Sequence, residues 1–414
     1  MPEDTTIETE YRYWSKPASW ATTSTATGVL PKEGEDVIIQ STWNMVLDLT
    51  DTPVFRSIEI NGRLTILNDG KTYNLHSYLI YVRKGELIVG TADKPITGKV
   101  IFTLHGTRAD KDIYFTDKMF EAGNKVIANT GLLNMYGQHV TTKWTRLAQS
   151  APAGQNWILL VDDPTDWAVG DELGITPSSR DYTQRDFCVV QAINGKNVTL
   201  AAPLVYTHYG AAAIDATKTG TIDIRAEVLH LTRNIVVQGT NEDRWGGIVV
   251  TAHNNDSGFV NGQLVSVQRK GFAIIDHVEF VNCSQYDTDK AAVRFSNFFA
   301  LNSTDKQSSL TNSVIHNGLG IGVMVTSADN VLVDTNMIFF QHIGAIWMKK
   351  SHSTTITNNV AGGMGTRYWS TETRLDEIVV FNLCNNYQSC KNLVVKNNIV
   401  GGSERIGFLL PSVS

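Results

Sequence analysis

Three stretches of this 414-residue chain hold residue types at spacings that could do chemistry. In "IDIRAE" (222–227) a strand would place Asp223, Arg225 and Glu227 on one face and Ile222, Ile224 and Ala226 on the other. Two carboxylates around a guanidinium make a weak candidate for acid–base catalysis, or a stripe that grips a glycan. The same pattern suits a salt-linked outer face, each pair giving under ~1 kcal/mol, and the pattern favours that role. In "VDDPTD" (161–166) Asp162, Asp163 and Asp166 could gather calcium. The spacing of an EF-hand and its closing glutamate are missing, so an acidic turn is expected, and no cofactor or metal site. In "IWMKK" (346–350) Trp347 and Lys349 share a face if Ile346 and Met348 point inward. With Arg367, Tyr368 and Trp369 near in sequence, they would form an aromatic and basic surface, where rings stack on sugars and cations meet carboxylates. The opposing reading has these side chains covering a loop. His316 and His342 fall near one corner of neighbouring repeats but out of register, His316 aligning with Phe340, so ordinary corner histidines are expected.

These residues need elements to position them, and almost nothing in the chain reads as helix. Short β-branched runs such as "DVIIQ", "RSIEI", "RLTIL" and "KVIFTL" are punctuated by Gly, Asn and Asp. "TNSVIHNGLGIGVMV" (311–325) returns after 24 residues as "TNMIFFQHIGAIWMK" (335–349), then more loosely as "TNNVAGGM" (357–364) and "KNNIVGG" (396–402). A period of 20–30 residues with small turns between strands is that of a β-solenoid, whose coils stack at the strand-pairing distance. The fold class expected is all-β, a right-handed parallel β-helix. Asn312, Asn336, Asn358 and Asn397 would occupy matching corners, and Ile315, Met324, Phe339 and Met348 would point inward.

The net charge of −6 argues against nucleic acid as a partner. No apolar run is long enough to span a bilayer as a helix. The acidic start is no signal peptide, so a secreted protein would have to be longer than this chain. Cys384 and Cys390, six apart, suit a small disulfide loop. Sequons at Asn197, Asn255, Asn282 and Asn302 are glycosylation candidates.

The front half carries a distinctive series: "YWSKPASW" (13–20), "PKEGEDVII" (31–39), "DTPVFRSIEINGRLTI" (51–66), "RKGELIVGT" (83–91), "LHG" (104–106) and "GNKVIANTGLLNMYGQ" (123–138). This order resembles the eight-glycine domain of the fibrocystins and of the cell-surface hyaluronan-degrading proteins. Gly34, Gly62, Gly85, Gly90, Gly106, Gly123, Gly131 and Gly137 match the glycines of its name. "WAVGDELGI" (167–175) and "DIRAEVLHLTRNIVVQG" (223–239) resemble the same proteins, in which a β-helix follows. The resemblance implies a tail at 1–12, an eight-glycine domain at 13–146, a β-rich connecting segment at 147–232 and β-helix coils at 233–414, with a loop excursion at 368–390. Where the hyaluronan-degrading relatives carry His-Phe-His, this chain has Arg294, Phe295 and Ser296; where they have Gly-Gly-His, it has Gly246, Gly247 and Ile248. Histidine is the usual proton-transfer group near neutral pH. The resemblance therefore implies a non-catalytic module of a larger extracellular or cell-surface protein, contacting a protein or polysaccharide partner. A glycosaminoglycan depolymerase using carboxylates and arginines is the rival, and a structural spacer the third reading.

Overall fold

The structure is a computed structural model describing residues 6–23, 27–114, 121–211, 214–215, 221–240, 243–260, 263–298, 305–365, 378–384 and 390–410. The β-branched runs form strands because alternate side chains find an apolar interior: Ile58, Ile60 and Leu64 are fully buried while their neighbours are half-exposed. Three long sheets result. The chain visits the second sheet, then the first, then the third, and starts again one strand further along. Leu79–Val82, Glu86–Val89 and Lys99–Leu104 make one such coil. Pairing along each sheet is parallel and in register, as between Ile80 and Ile127 or Leu87 and Leu133. A single apolar column inside the coils, from Trp14 to Cys384, is the core. This is a parallel β-helix.

The sheets run without interruption from the glycine-rich front half into the later coils. Leu132–Tyr136 pairs with Glu86–Val89 on one side and with Phe272–Asp276 on the other. Gly62, Gly85 and Gly131 stack at the corner leading into the first sheet. A Cβ at Gly85 would stand 2.0 Å from the carbonyl oxygen of Gly62, and one at Gly131 2.3 Å from that of Gly85. The coils can close to strand-pairing distance there only without side chains. At the front edge, Arg12–Tyr13 begins the first sheet, and buried Trp14 meets Trp20 edge-on at 4.8 Å.

Between Tyr136 and Ile235 the solenoid pauses. A six-stranded antiparallel sheet, from Trp144–Arg146 to Glu227–His230, surrounds its own core of Leu147, Ile158, Leu173, Val190 and Val228. This insert packs on the flank of the third sheet, where Leu229 and Leu231 meet Met337, Phe339 and Val360.

The register corrects the repeat read from sequence. Val314 lies beside Met337 and Met337 beside Val360, a rise of 23 residues per coil rather than 24. A slip of one residue exchanges the faces of a strand. Met348 is inside as expected, but Met324 pairs with Trp347 on the outer face, and Phe339 points sideways at the insert. The asparagines form two adjacent columns. Asn312, Thr335, Asn358 and Asn397 take the left-handed corner, with φ of 52°, 56°, 55° and 58°. Asn336, Asn359 and Asn398 follow Ser313 in an inner ladder, Asn336 Nδ2 donating to Asn359 Oδ1 and Asn359 Nδ2 to Asn398 Oδ1, each at 2.9 Å. The 24-residue match had laid one column over the other.

The expected excursion at 368–390 is also corrected. Val379–Leu383 within it is a solenoid strand, Ile346 pairing with Phe381, because its apolar run fills the next rung.

Candidate functional site

The expected stripe at 223–227 is not a strand throughout. Pairing begins at Glu227, and Arg225 turns back on Asp223, with Nε on Oδ1 at 2.9 Å and Nη2 on Oδ2 at 2.7 Å. That fork holds the Asp223 carboxyl at about 2. Arg146 reaches both acids, at 3.2 Å from Asp223 and 3.4 Å from Glu227, and Thr176 Oγ1 donates to the buried Glu227 at 2.7 Å. The three residues do converge, but into a network whose lone pairs meet guanidinium and hydroxyl donors.

The acidic turn does not gather its carboxylates. Asp162 accepts from Thr145 at 2.7 Å and Asp166 from Thr141 at 2.6 Å. Among the described residues no group of three or more His, Cys, Asp or Glu could hold a metal ion. His316 lies 3.2 Å from Glu279, whereas the ring of His342 lies beside Tyr286.

Trp347 and Lys349 share a face, with the ammonium 5.5 Å from the indole centroid. Trp347 is nevertheless only 7% exposed, packed with Met324 and Ile321, and donates its indole N–H to the Val379 carbonyl at 2.8 Å. A ring so covered cannot stack on a sugar, so the surface expected there is corrected; Arg367, Tyr368 and Trp369 lie outside the described residues. Cys384 and Cys390 are disulfide-bonded. Asn197, Asn255 and Asn282 are half-buried, and Asn302 lies outside the described residues.

Ile248, Arg294 and Ser296 fall on neighbouring strands. Ile248 and Val250 stand on one strand of the second sheet, and Arg294 is the partner of Val250 on the next, with Ser296 beside Ala252. Arg294 is largely buried, donates to Ser296 Oγ at 2.9 Å, and is held below its usual value by that burial.

Beside them lies a cluster that sequence reasoning missed. Lys290, 8% exposed, sets its ammonium 2.8 Å from Asp112 and 2.6 Å from Glu121. Burial pushes the Asp112 carboxyl up, Lys290 opposes this, and the neighbouring Glu121 carboxylate adds to the rise. Asn124 donates to Asp112 at 3.0 Å and accepts the indole N–H of Trp245, over which Arg108 lies at 4.8 Å. Asp112 and Asn124 also line an open cavity of about 1260 Å³ with Arg56, Tyr78, His105 and Lys111, along the outer face of the second sheet. Asp112 and Lys290 are separated by 178 residues. The one local signal was a lysine entering an apolar run, "DKAAVRF".

A model of the G8 domain matches residues 19–148. This stretch thus matches the G8 domain, and the chain as a whole is similar to the fibrocystins. Canine fibrocystin (Canis lupus familiaris) is 25% identical over 408 residues, 95% of this chain and 9% of that protein. Fibrocystin-L of Mus musculus is 28% identical over 426 residues, 96% of this chain and 10% of its own length. Human fibrocystin-L (Homo sapiens) is 30% identical over 238 residues, 56% of this chain and 5% of that protein. The fibrocystin-like chain thus spans a tenth or less of these relatives. Among solved structures, the tailspike protein gp49 from Pseudomonas phage LKA1 is 13% identical with a TM-score of 0.26, over 86% of this chain and 50% of that one. Among the described residues of the fibrocystin-like chain no helix is long and apolar enough to cross a membrane.

Proposed function

We propose that the chain is a non-catalytic β-helix module of a larger extracellular or cell-surface protein, and that it binds a glycan along the outer face of its second sheet. The observation that carries this is the open cavity of about 1260 Å³ with Tyr78 on its wall. Tyr78 is 44% exposed and leans on His105 with ring centroids 5.9 Å apart, so part of its face is open to a sugar. Lys111 and the Asp36–Arg56 pair stand beside it with Asp110 and Asp112, a polar rim for sugar hydroxyls, and such a site needs no cofactor. The test is a glycan array followed by calorimetry, run with and without calcium. Tyr78→Ala is expected to weaken binding about fivefold to tenfold, the scale of one lost stacking contact of ~1–1.4 kcal/mol. A blank array turns the reading toward a protein partner or a structural spacer. Unchanged affinity in Tyr78→Ala removes this groove.

One observation favours the rival depolymerase. Asp112 and Glu121 share Lys290, and the raised carboxyl of Asp112 is the kind of group that donates a proton to a leaving sugar oxygen. Incubation with labelled hyaluronan decides the matter. Shortening that disappears in Asp112→Asn would establish catalysis; intact polymer leaves the binding module.

A further inference from the structure

The insert packs on the solenoid through Leu229 and Leu231, and between them His230 bonds the arginine at the junction. Arg233, 2% exposed, lies just before the solenoid strand Ile235–Gly239. Its Nε donates to the Asn312 carbonyl of a later coil at 3.2 Å, and its Nη1 to the Thr232 carbonyl at 2.7 Å, with its second hydrogen shared between His230 Nδ1 at 3.1 Å and the His230 carbonyl at 3.2 Å. A guanidinium has donors only, so His230 Nδ1 must accept. The ring proton therefore sits on Nε2, which donates to Asp171 Oδ2 at 2.8 Å. Asp171 is pinned in turn by the Ala168 N–H at 2.7 Å, and the Trp167 indole stacks on the imidazole at 5.3 Å and 13°. Trp167, Asp171 and His230 belong to the insert, and Arg233 to the solenoid.

We propose that His230 is a proton-operated latch: neutral, it fastens the antiparallel insert to the solenoid, and a second proton taken up at Nδ1 breaks that fastening. The second proton would set N–H against N–H across 3.1 Å, beside a cation already out of water. The other charges facing the pair come from neighbouring elements. Glu279 accepts the Arg233 backbone N–H at 2.8 Å and lies 3.2 Å from His316. Asp276 holds His277 at 2.7 Å, and Lys143 is close enough to feel the Arg233 charge. A cavity of about 510 Å³ lined by His139, Asp166, Asp171, His230 and Arg233 gives water a route to the ring.

Burial, opposed by Asp171 and reinforced by Arg233, holds His230 below the ordinary histidine value. The released insert keeps Asp171 beside the ring but escapes the burial and the Arg233 charge, so it takes the proton first as pH falls. Docking is then complete above pH ~6.5 and weakens below it, by up to about tenfold per pH unit for one proton.

The test is hydrogen exchange of the whole chain near pH ~7.5 and pH ~5.5, expressed as protection factors, with solenoid strands as internal reference. Protection across the insert strands, from Trp144–Arg146 to Glu227–His230, is expected to fall by up to about tenfold relative to the solenoid in the acidic sample, and the fall to vanish in His230→Gln. Equal protection at both pH values, or the same fall in His230→Gln, overturns the latch. Ring NMR of the unmodified chain is the second measurement, independent of whether the variant folds. An Nε2–H tautomer that gains its proton as the insert loosens supports the proposal; an Nδ1–H tautomer overturns it.

Discussion

Asn359 shows how much a single side chain carries in a stacked fold. It bonds to Asn336 below and to Asn398 above, and its Nδ2 also reaches the Val333 carbonyl at 3.0 Å. Asn359→Ala leaves buried donors and acceptors without partners, each worth ~1–3 kcal/mol. The urea midpoint should fall accordingly; an unchanged midpoint would mean the ladder is incidental. Trp347 makes the complementary case. Its burial predicts that Trp347→Ala costs ~3–5 kcal/mol of stability while glycan affinity stays as it was, which melting and calorimetry on the same preparation separate. Asp223, Arg225 and Glu227 are salt-linked, as the favoured reading had it, but Arg225 folds back on Asp223 and Glu227 is buried rather than set along one exposed face. Arg146, which joins them, enters from 77 residues away and no local pattern announces it.

At the scale of elements, corners govern more than strands. The strands have many apolar substitutes, but the corner at Gly62, Gly85 and Gly131 admits no Cβ without pushing backbone away. Gly85→Ala is therefore expected to lower the melting temperature more than Ile58→Val, a substitution that typically costs only ~0.5–1.5 kcal/mol. The reverse order in paired thermal melts would show that the corner can relax. Near the other end, Cys384 and Cys390 close a short span after the strand Val379–Leu383. Such short loops give a disulfide only ~2–3 kcal/mol, so Cys384→Ser should loosen the last rungs in hydrogen exchange and leave the first coils unchanged.

The molecule as a whole joins two units that hide histidine in neutral form. His253 is held at about 4, and His230 and His277 also lie below the ordinary value, burial being the largest cause for each. Unfolded histidine takes its proton near pH ~6.5, so folding stability from these groups is fully present above that pH and declines as pH falls toward 4. The paired carboxylates, such as Asp223 at about 2 and the lowered Asp186, weaken only below the ordinary carboxylate range of ~4. Melting temperature should therefore drop in two stages on acidification, the first over pH ~6.5 to ~4. A curve flat down to pH ~4 would show that these histidines are not buried neutral.

The coil architecture could be read from the chain without coordinates. Alternating apolar residues and corner asparagines and glycines are local properties, and the glycine-rich series 13–138 signalled the family. The register could not, because two adjacent asparagine columns offer matches at 23 and 24 and only packed side chains choose between them. Nor could the cluster of Asp112, Glu121 and Lys290, or the latch at His230. The first joins residues far apart in sequence, and the second needs Asp171 and Asn312, 59 and 79 residues from their partners, to be brought in by folding; contacts of that kind leave no periodic trace along the chain.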